Sequence, residues 1–327
     1  MVGGVIGLSG CASFSQDAHQ VLVRDPAIGK YDAPVDAGPH AKRQWVYAAM
    51  SDFAYEAARV RSLEDRKMPL PAKDITVEVE ACGGRMPPAI PDEWVRWENF
   101  PSADLSAVMR KNGLFLLVLE RTAPPREIAV VFEGTNFTEI PDWEANLRWF
   151  LRFIPGFEDQ YTLTAREVSN EFFQCIRSQP EKYQVSESSQ TLRSARGDEI
   201  KIVSAGHSLG GGLAQHFAYT FKQSSKESTG PKVSEVYAFD PSPVTGWFSA
   251  EDPPRSYNAK GLVINRIFEH GEVLAYLRLL TSRLAVTRQD PSIWEYRYNF
   301  DRKASILRNH SIRSLACGLA RAGSDSR

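Results

Sequence analysis

The run "KIVSAGHSLGGGLAQHF" at residues 201–217 passes from a β-like apolar stretch straight into glycines, a histidine and a serine, and then into a helical pattern. Few local structures accept that corner. Gly206-His207-Ser208-Leu209-Gly210 is G-x-S-x-G at the end of an expected strand and the start of an expected helix, the context that a nucleophile elbow requires. The glycines have a steric reason, because a turn this tight brings strand and helix so close that a Cβ at either position would clash. The serine hydroxyl is thereby raised above the sheet. Behind it, the free N–H groups and partial positive charge of a helix N-terminus are placed to receive an oxyanion. A phosphate loop does not fit, since no Lys-Ser/Thr pair follows the glycines.

The rest of the chain supplies the sheet that such a corner needs. "AKRQWVYAAMSDFAYEAARVRSL" (41–63) has apolar residues at helical spacing, and "LTAREVSNEFFQCIRSQ" (163–179) reads as a second helix. "ITVEVEA" (75–81) alternates with period two and reads as a strand, while "LFLLVLER" and "EIAVVFEGT" are short, continuously apolar runs. "EIKIVSAGH", "SEVYAFD", "GLVINRIFE" and "WEYRYNF" follow. Interleaved helices and buried strands predict an α/β fold with a mostly parallel sheet covered by helices on both faces. "ESSQTLRSARGD" (187–198) and "QSSKESTGPK" (223–232) read as surface loops. With 327 residues, 43 % of them hydrophobic, the chain can bury one large core. The expected division is a truncated signal-like segment over 1–10, a tether or irregular arm over 11–40, one domain over 41–316 and a polar tail over 317–327.

Several function classes drop out. The net charge is −1 and no basic stripe is present, so nucleic-acid binding has no electrostatic basis. No apolar run approaches the roughly 20 residues that span a bilayer. Neither C-x-x-C nor H-E-x-x-H occurs, so the sequence supports no metal site, and no cofactor is expected. The N-terminus is different. "MVGGVIGLSGCAS" is small and apolar up to Cys11, and Leu8-Ser9-Gly10-Cys11 resembles the lipobox of bacterial lipoproteins, whose cysteine is diacylated. A charged n-region is missing and the apolar stretch is short, which suits a true start further upstream; the alternative is a frayed end with an incidental cysteine. Acylation of Cys11 would leave Cys82, Cys175 and Cys317, enough for one disulfide at most. Ala12 is not the aspartate that retains lipoproteins at the inner membrane, so the expected location is the bacterial cell envelope, anchored in the outer membrane.

"AGHSLGGGLAQ" resembles the elbow of the class 3 (fungal-type) lipases, and "IAVVFEGTN" is similar to their oxyanion strand. The family's D-W pair is present as Asp142-Trp143. The resemblance spans roughly 41–316 and is specific around 128–150 and 200–217. It implies an α/β-hydrolase fold, and an oxyanion hole formed by Thr135, which follows the F-x-G turn, together with the Leu209 backbone N–H. Later residues depart from the pattern, with "AFDPSPVTGW" in place of the family's proline-arginine signature.

Chain order in α/β-hydrolases runs Ser, then Asp or Glu, then His. His19, His40 and His207 are excluded by order or by the elbow itself, and His216 sits on the elbow helix, too near to reach back. Of His270 and His310, the second follows the last expected strand by a loop and precedes a helix, where the base of this fold stands. Glu272 aligns best with the family's aspartate, whereas Asp240, which ends the strand after the elbow helix, and Glu269 stay open as the acid. The parts imply a serine hydrolase of lipid esters working through an acyl-enzyme. Lipase, phospholipase A1 and esterase share these residue types. An acyltransferase or peptidase with the same triad, or an inactive hydrolase fold, are the readings from other classes. "DWEANLRWFLRFIPGFEDQYTL" (142–163) is dense in aromatic and aliphatic residues where the family carries its lid, and is read either as such a flap, spanning about 143–165, or as core.

Overall fold

Apolar residues at alternating positions of the central strands serve two cores, one on each side of a twisted sheet. The computed structural model describes residues 16–69, 75–134, 160, 163–186, 191–221, 231–252, 254–272, 274, 290–301 and 308–325. In chain order the elements are β1 (Gln20–Arg24), β2 (Val35–Asp36), α1 (Gly38–Asp65), α2 (Ile75–Ala81), β3 (Trp94–Arg96), α3 (Ala103–Lys111), β4 (Leu116–Arg121) and β5 (Arg126–Phe132). Then come a π-helical turn (Thr164–Val168), α4 (Ser169–Arg177), β6 (Tyr183–Ser186), β7 (Thr191–Ser194), β8 (Glu199–His207) and α5 (Leu209–Thr220). The chain closes with β9 (Val233–Phe239), α6 (Arg255–Ala259), β10 (Val263–Glu269), β11 (Ser292–Tyr298), a 3₁₀ turn (Arg308–His310) and α7 (Ile312–Asp325).

The strands lie in the order β2-β1-β11-β10-β9-β8-β5-β4-β3, with β6 and β7 added beside β8. The central five, β5, β8, β9, β10 and β11, pair in parallel, and the edges are antiparallel. Their buried runs explain this. A parallel strand is covered on both faces and therefore reads as continuous hydrophobic sequence, as "IVSA" and "AVVF" do. Leu116, Val118, Ile128, Val130 and Phe132 face one core, packed on Phe172 of α4 and Phe217 of α5. Leu117, Leu119, Ala129, Val131 and Val203 face the other, beneath α1 and α7. Each fully buried phenylalanine contributes about 1.5–3 kcal/mol of transfer free energy. Register aligns Phe132 with Gly206, His207 with Phe239, and Glu269 with Tyr298, so the carboxyl ends of the parallel strands share one edge. Ligands of open α/β sheets bind at such an edge.

Four expectations change. "ITVEVEA" is helix α2, not a strand. A helix puts Glu78 and Cys82 four residues apart on one face, where Glu78 pairs with Arg313 at 3.0 Å and Cys82 forms a disulfide with Cys317; these ties override the period-two pattern. The expected arm over 11–40 contains β1, whose Leu22, Val23 and Arg24 pair with β11, because the short apolar "VLV" buries itself only against that free edge. The expected tail over 317–327 contains the last turns of α7, which packs against α1 with Leu319 and Ala322 buried. The polar stretch 187–198 contains β7, which forms a hairpin with β6 and extends the sheet at β8. Among the described residues no helix is long and apolar enough to cross a membrane.

Candidate active site

The elbow forms for the steric reason visible in the sequence. A Cβ on Gly206 would overlap the Gly210 backbone carbonyl, and one on Gly210 would overlap the Phe132 carbonyl of β5. With both absent, β8 turns into α5 in a single residue, Ser208, held at φ 57° and ψ −121°. That conformation is strained for a side chain other than glycine and costs of order 1–3 kcal/mol. Neighbouring strands impose it: Ser208 N–H donates to the Phe239 carbonyl at 2.9 Å, and the Ser208 carbonyl accepts from Ser242 N–H at 2.9 Å. The side chain is buried, and Oγ has no hydrogen bond among the described residues.

The other candidate residues come from the same strand ends. Glu272 follows β10 through a turn at Gly271, and its side chain is fully buried. Its Oε2 accepts from Leu274 N–H at 2.7 Å and lies 2.9 Å from His310 Nδ1. His310 ends the 3₁₀ turn before α7, and Asn309 Nδ2 ties that turn to the loop of the acid by donating to the His270 carbonyl at 3.0 Å. The His310 ring packs on that of His207, the residue before Ser208, with centroids 4.7 Å apart. Serine, histidine and glutamate are thus gathered at one edge of the sheet from three loops.

The rival carboxylates occupy different positions. Asp240 ends β9 at φ 38° and accepts the Glu269 N–H on Oδ1 at 3.0 Å. One nitrogen or oxygen from each of His207, Asp240 and His310 lies within 4.8 Å of the others, so Asp240 stands close to His310. Glu269 accepts from Phe300 N–H at 2.7 Å and lines a small cavity beside the Cys82–Cys317 disulfide, where burial pushes its carboxyl up to about 7. His216 packs against Gly246 in the body of α5, and His270 contributes its carbonyl to Asn309.

Of the two oxyanion candidates, Leu209 heads α5 and is buried, whereas Thr135 lies outside the described residues. Gly134, just before it, is described. A Cβ there would overlap the His207 carbonyl and the Tyr55 hydroxyl and come within 3.3 Å of Ser208 Cβ, so only glycine lets the F-x-G turn lie this close to the elbow. Cys11 and most of 143–165 also lie outside the described residues. Sequence reasoning passed over Tyr55. It stands on α1, and its hydroxyl lies 2.9 Å from His207 Nδ1. It lies on a helix of mixed apolar and charged residues, and beyond its hydroxyl the sequence gives it no signal of its own.

Residues 129–259 match the family model described as lipase (class 3). No curated protein matches the chain at a significant level. The matched segment runs from β5 through the elbow to α6 and so holds the strand, turn and helix that present Ser208. Over this segment the chain is similar to the class 3 lipases, and with its largely parallel sheet the match supports a lipase-like α/β-hydrolase fold and, in general terms, an ester hydrolase of the lipase type.

Proposed function

We propose that this protein is a serine hydrolase that cleaves carboxylic esters of lipids, with Ser208 as nucleophile, His310 as base and Glu272 as the orienting acid. The observation that carries the reading is the 2.9 Å contact of Glu272 Oε2 with His310 Nδ1 beside a strained, uncommitted Ser208. With its Nδ1–H donated to Glu272, His310 keeps the Nε2 lone pair available. It takes the Ser208 proton as Oγ bonds to the ester carbonyl carbon, and the carboxylate stabilises the resulting imidazolium. The carbonyl oxygen becomes an oxyanion received by Thr135 and the Leu209 N–H. As the tetrahedral species collapses, the C–O bond breaks and His310 returns the proton to the departing alcohol. Water then repeats the sequence on the acyl-enzyme, releasing the acid.

The substrate is read from the aromatic stretch 143–165 and from the family. Turnover of p-nitrophenyl esters of graded chain length is expected to rise from acetate towards medium or long acyl chains and to increase further with detergent micelles. A preference for acetate, indifferent to micelles, would replace the lipid reading with a small-ester esterase. Turnover only in the presence of an amine or alcohol acceptor would instead indicate acyl transfer.

The lipobox-like Leu8-Ser9-Gly10-Cys11 supports placement in a bacterial envelope, with the domain held at a lipid surface by acylated Cys11. Each buried CH₂ contributes about 0.8 kcal/mol, and two or three chains make attachment effectively permanent. Gln16 lies five steps along the chain from Cys11, and its side chain already donates to the Arg297 carbonyl of β11 at 2.8 Å. At roughly 3.3–3.6 Å per residue that link spans at most about 18 Å, so the anchor would hold the sheet edge close to the lipid. Metabolic labelling with a palmitate analogue in a bacterial host, from a gene extended to any upstream start, is expected to mark the wild type. Cys11→Ser should lose the label and leave the membrane fraction. An unlabelled, soluble wild type would end the anchoring proposal and leave the hydrolase reading in place.

A further inference from the structure

Tyr55 reaches the site from α1, a helix on the opposite face of the sheet from α5. Its hydroxyl meets two parts of the machinery, and His207 carries the contact on to a third. The Tyr55 oxygen accepts from the backbone N–H of Gly134, the residue that precedes Thr135 and lies too close to Tyr55 and the elbow to carry a Cβ. The same hydroxyl lies 2.9 Å from Nδ1 of His207. On its other side the His207 ring packs on the ring of His310, with centroids 4.7 Å apart.

We propose that Tyr55 and His207 are positioning residues, a relay from the Gly134 turn through the Tyr55–His207 hydrogen bond to the His207 ring packed on that of His310, which holds nucleophile and base in mutual register. This rests on the hydrolase reading above and extends it. The direction of the relay follows from its donors and acceptors. Because the phenol oxygen accepts the Gly134 N–H, its own proton points to His207 Nδ1. That ring therefore carries its single proton on Nε2. Burial, followed by the nearby His310, holds His207 well below the usual histidine range, and burial keeps the Tyr55 phenol protonated. The groups facing the His207 ring are Tyr55, Asp240 and His310. A neutral ring matters to the chemistry, because His310 becomes an imidazolium in the transition state and a second cation 4.7 Å away would oppose it.

The relay acts on alignment, and a misplacement of about 1 Å can cost on the order of 10²-fold in rate. Tyr55→Phe removes the hydroxyl and keeps the ring. Its kcat is expected to fall roughly 10- to 100-fold while KM stays within about two-fold, with fluorophosphonate inactivation slowed in parallel. A residue that served packing alone would lower the melting temperature without this split. The second measurement needs no variant: ¹⁵N-histidine NMR of the full chain, with His207 assigned by difference. The expected signature is a neutral ring bearing its proton on Nε2 across the active pH range. A folded Tyr55→Phe with unchanged kcat, or a wild-type His207 that carries its proton on Nδ1 or titrates near the ordinary histidine value, would overturn the relay. If Tyr55→Phe fails to fold, the NMR result decides. Wild-type protein that reacts with the fluorophosphonate at Ser208 establishes the hydrolase reading separately, so the failure of one is distinguishable from the failure of the other.

Discussion

Ser208→Ala is expected to lower ester turnover by at least ~10⁴-fold and to abolish fluorophosphonate labelling, because a triad acts as a unit and nothing else supplies its nucleophile. The same substitution should leave stability at or slightly above the wild type. The reason is in the geometry: Ser208 Oγ is buried with no hydrogen bond among the described residues, so its removal breaks none and relieves an unsatisfied polar atom. The backbone strain at φ 57° is shared by alanine and does not change the comparison. Activity and stability therefore move in opposite directions, which separates a catalytic serine from a structural one. Labelling that survived in a folded Ser208→Ala protein would move the nucleophile elsewhere and end the assignment.

Glu272→Gln should reduce kcat by roughly 10²- to 10⁴-fold with little change in fold. Oε2 of Glu272 receives both the Leu274 N–H at 2.7 Å and the His310 contact at 2.9 Å. A glutamine that keeps its oxygen on Leu274 turns its amide NH₂ towards His310 and forces Nδ1 to accept. The imidazole proton then moves to Nε2, the atom that must take the serine proton, and the base is lost. Asp240→Asn should cost far less, since its amide oxygen can still accept the Glu269 N–H that Asp240 Oδ1 accepts at 3.0 Å. Steady-state kinetics of the two variants, measured alongside their circular dichroism, decide the ranking. If Asp240→Asn proved the more damaging, the acid would sit at the end of β9 and Glu272 would become a structural cap of its loop.

Local sterics could be read directly from the residues. Gly206 and Gly210 specify the elbow because their close contacts are with backbone only a few residues away or on the next strand, and the flanking "KIVSA" and "LAQHF" already declare strand and helix. The continuously apolar runs declare a sheet covered on both faces, for the same reason that two cores are found. Segments whose state depends on distant partners could not be read in this way. "ITVEVEA" has the period of a strand and is a helix, since Arg313 and Cys317, more than two hundred residues away, select the face that Glu78 and Cys82 share. "VLV" at 21–23 is too short to announce a strand, and only the free edge of β11 makes it one. The composition of the site divides in the same way. Chain order and residue type narrow the base to His270 or His310 and leave three carboxylates, Glu272, Asp240 and Glu269, as candidates for the acid. Which of them meets His310 Nδ1 is decided by loops leaving β9 and β10, whose paths depend on packing and not on local propensity. Tyr55 lies furthest beyond the sequence: 152 residues before His207, on a helix with no catalytic signature, it enters the site only because α1 folds beneath the sheet end that carries the elbow.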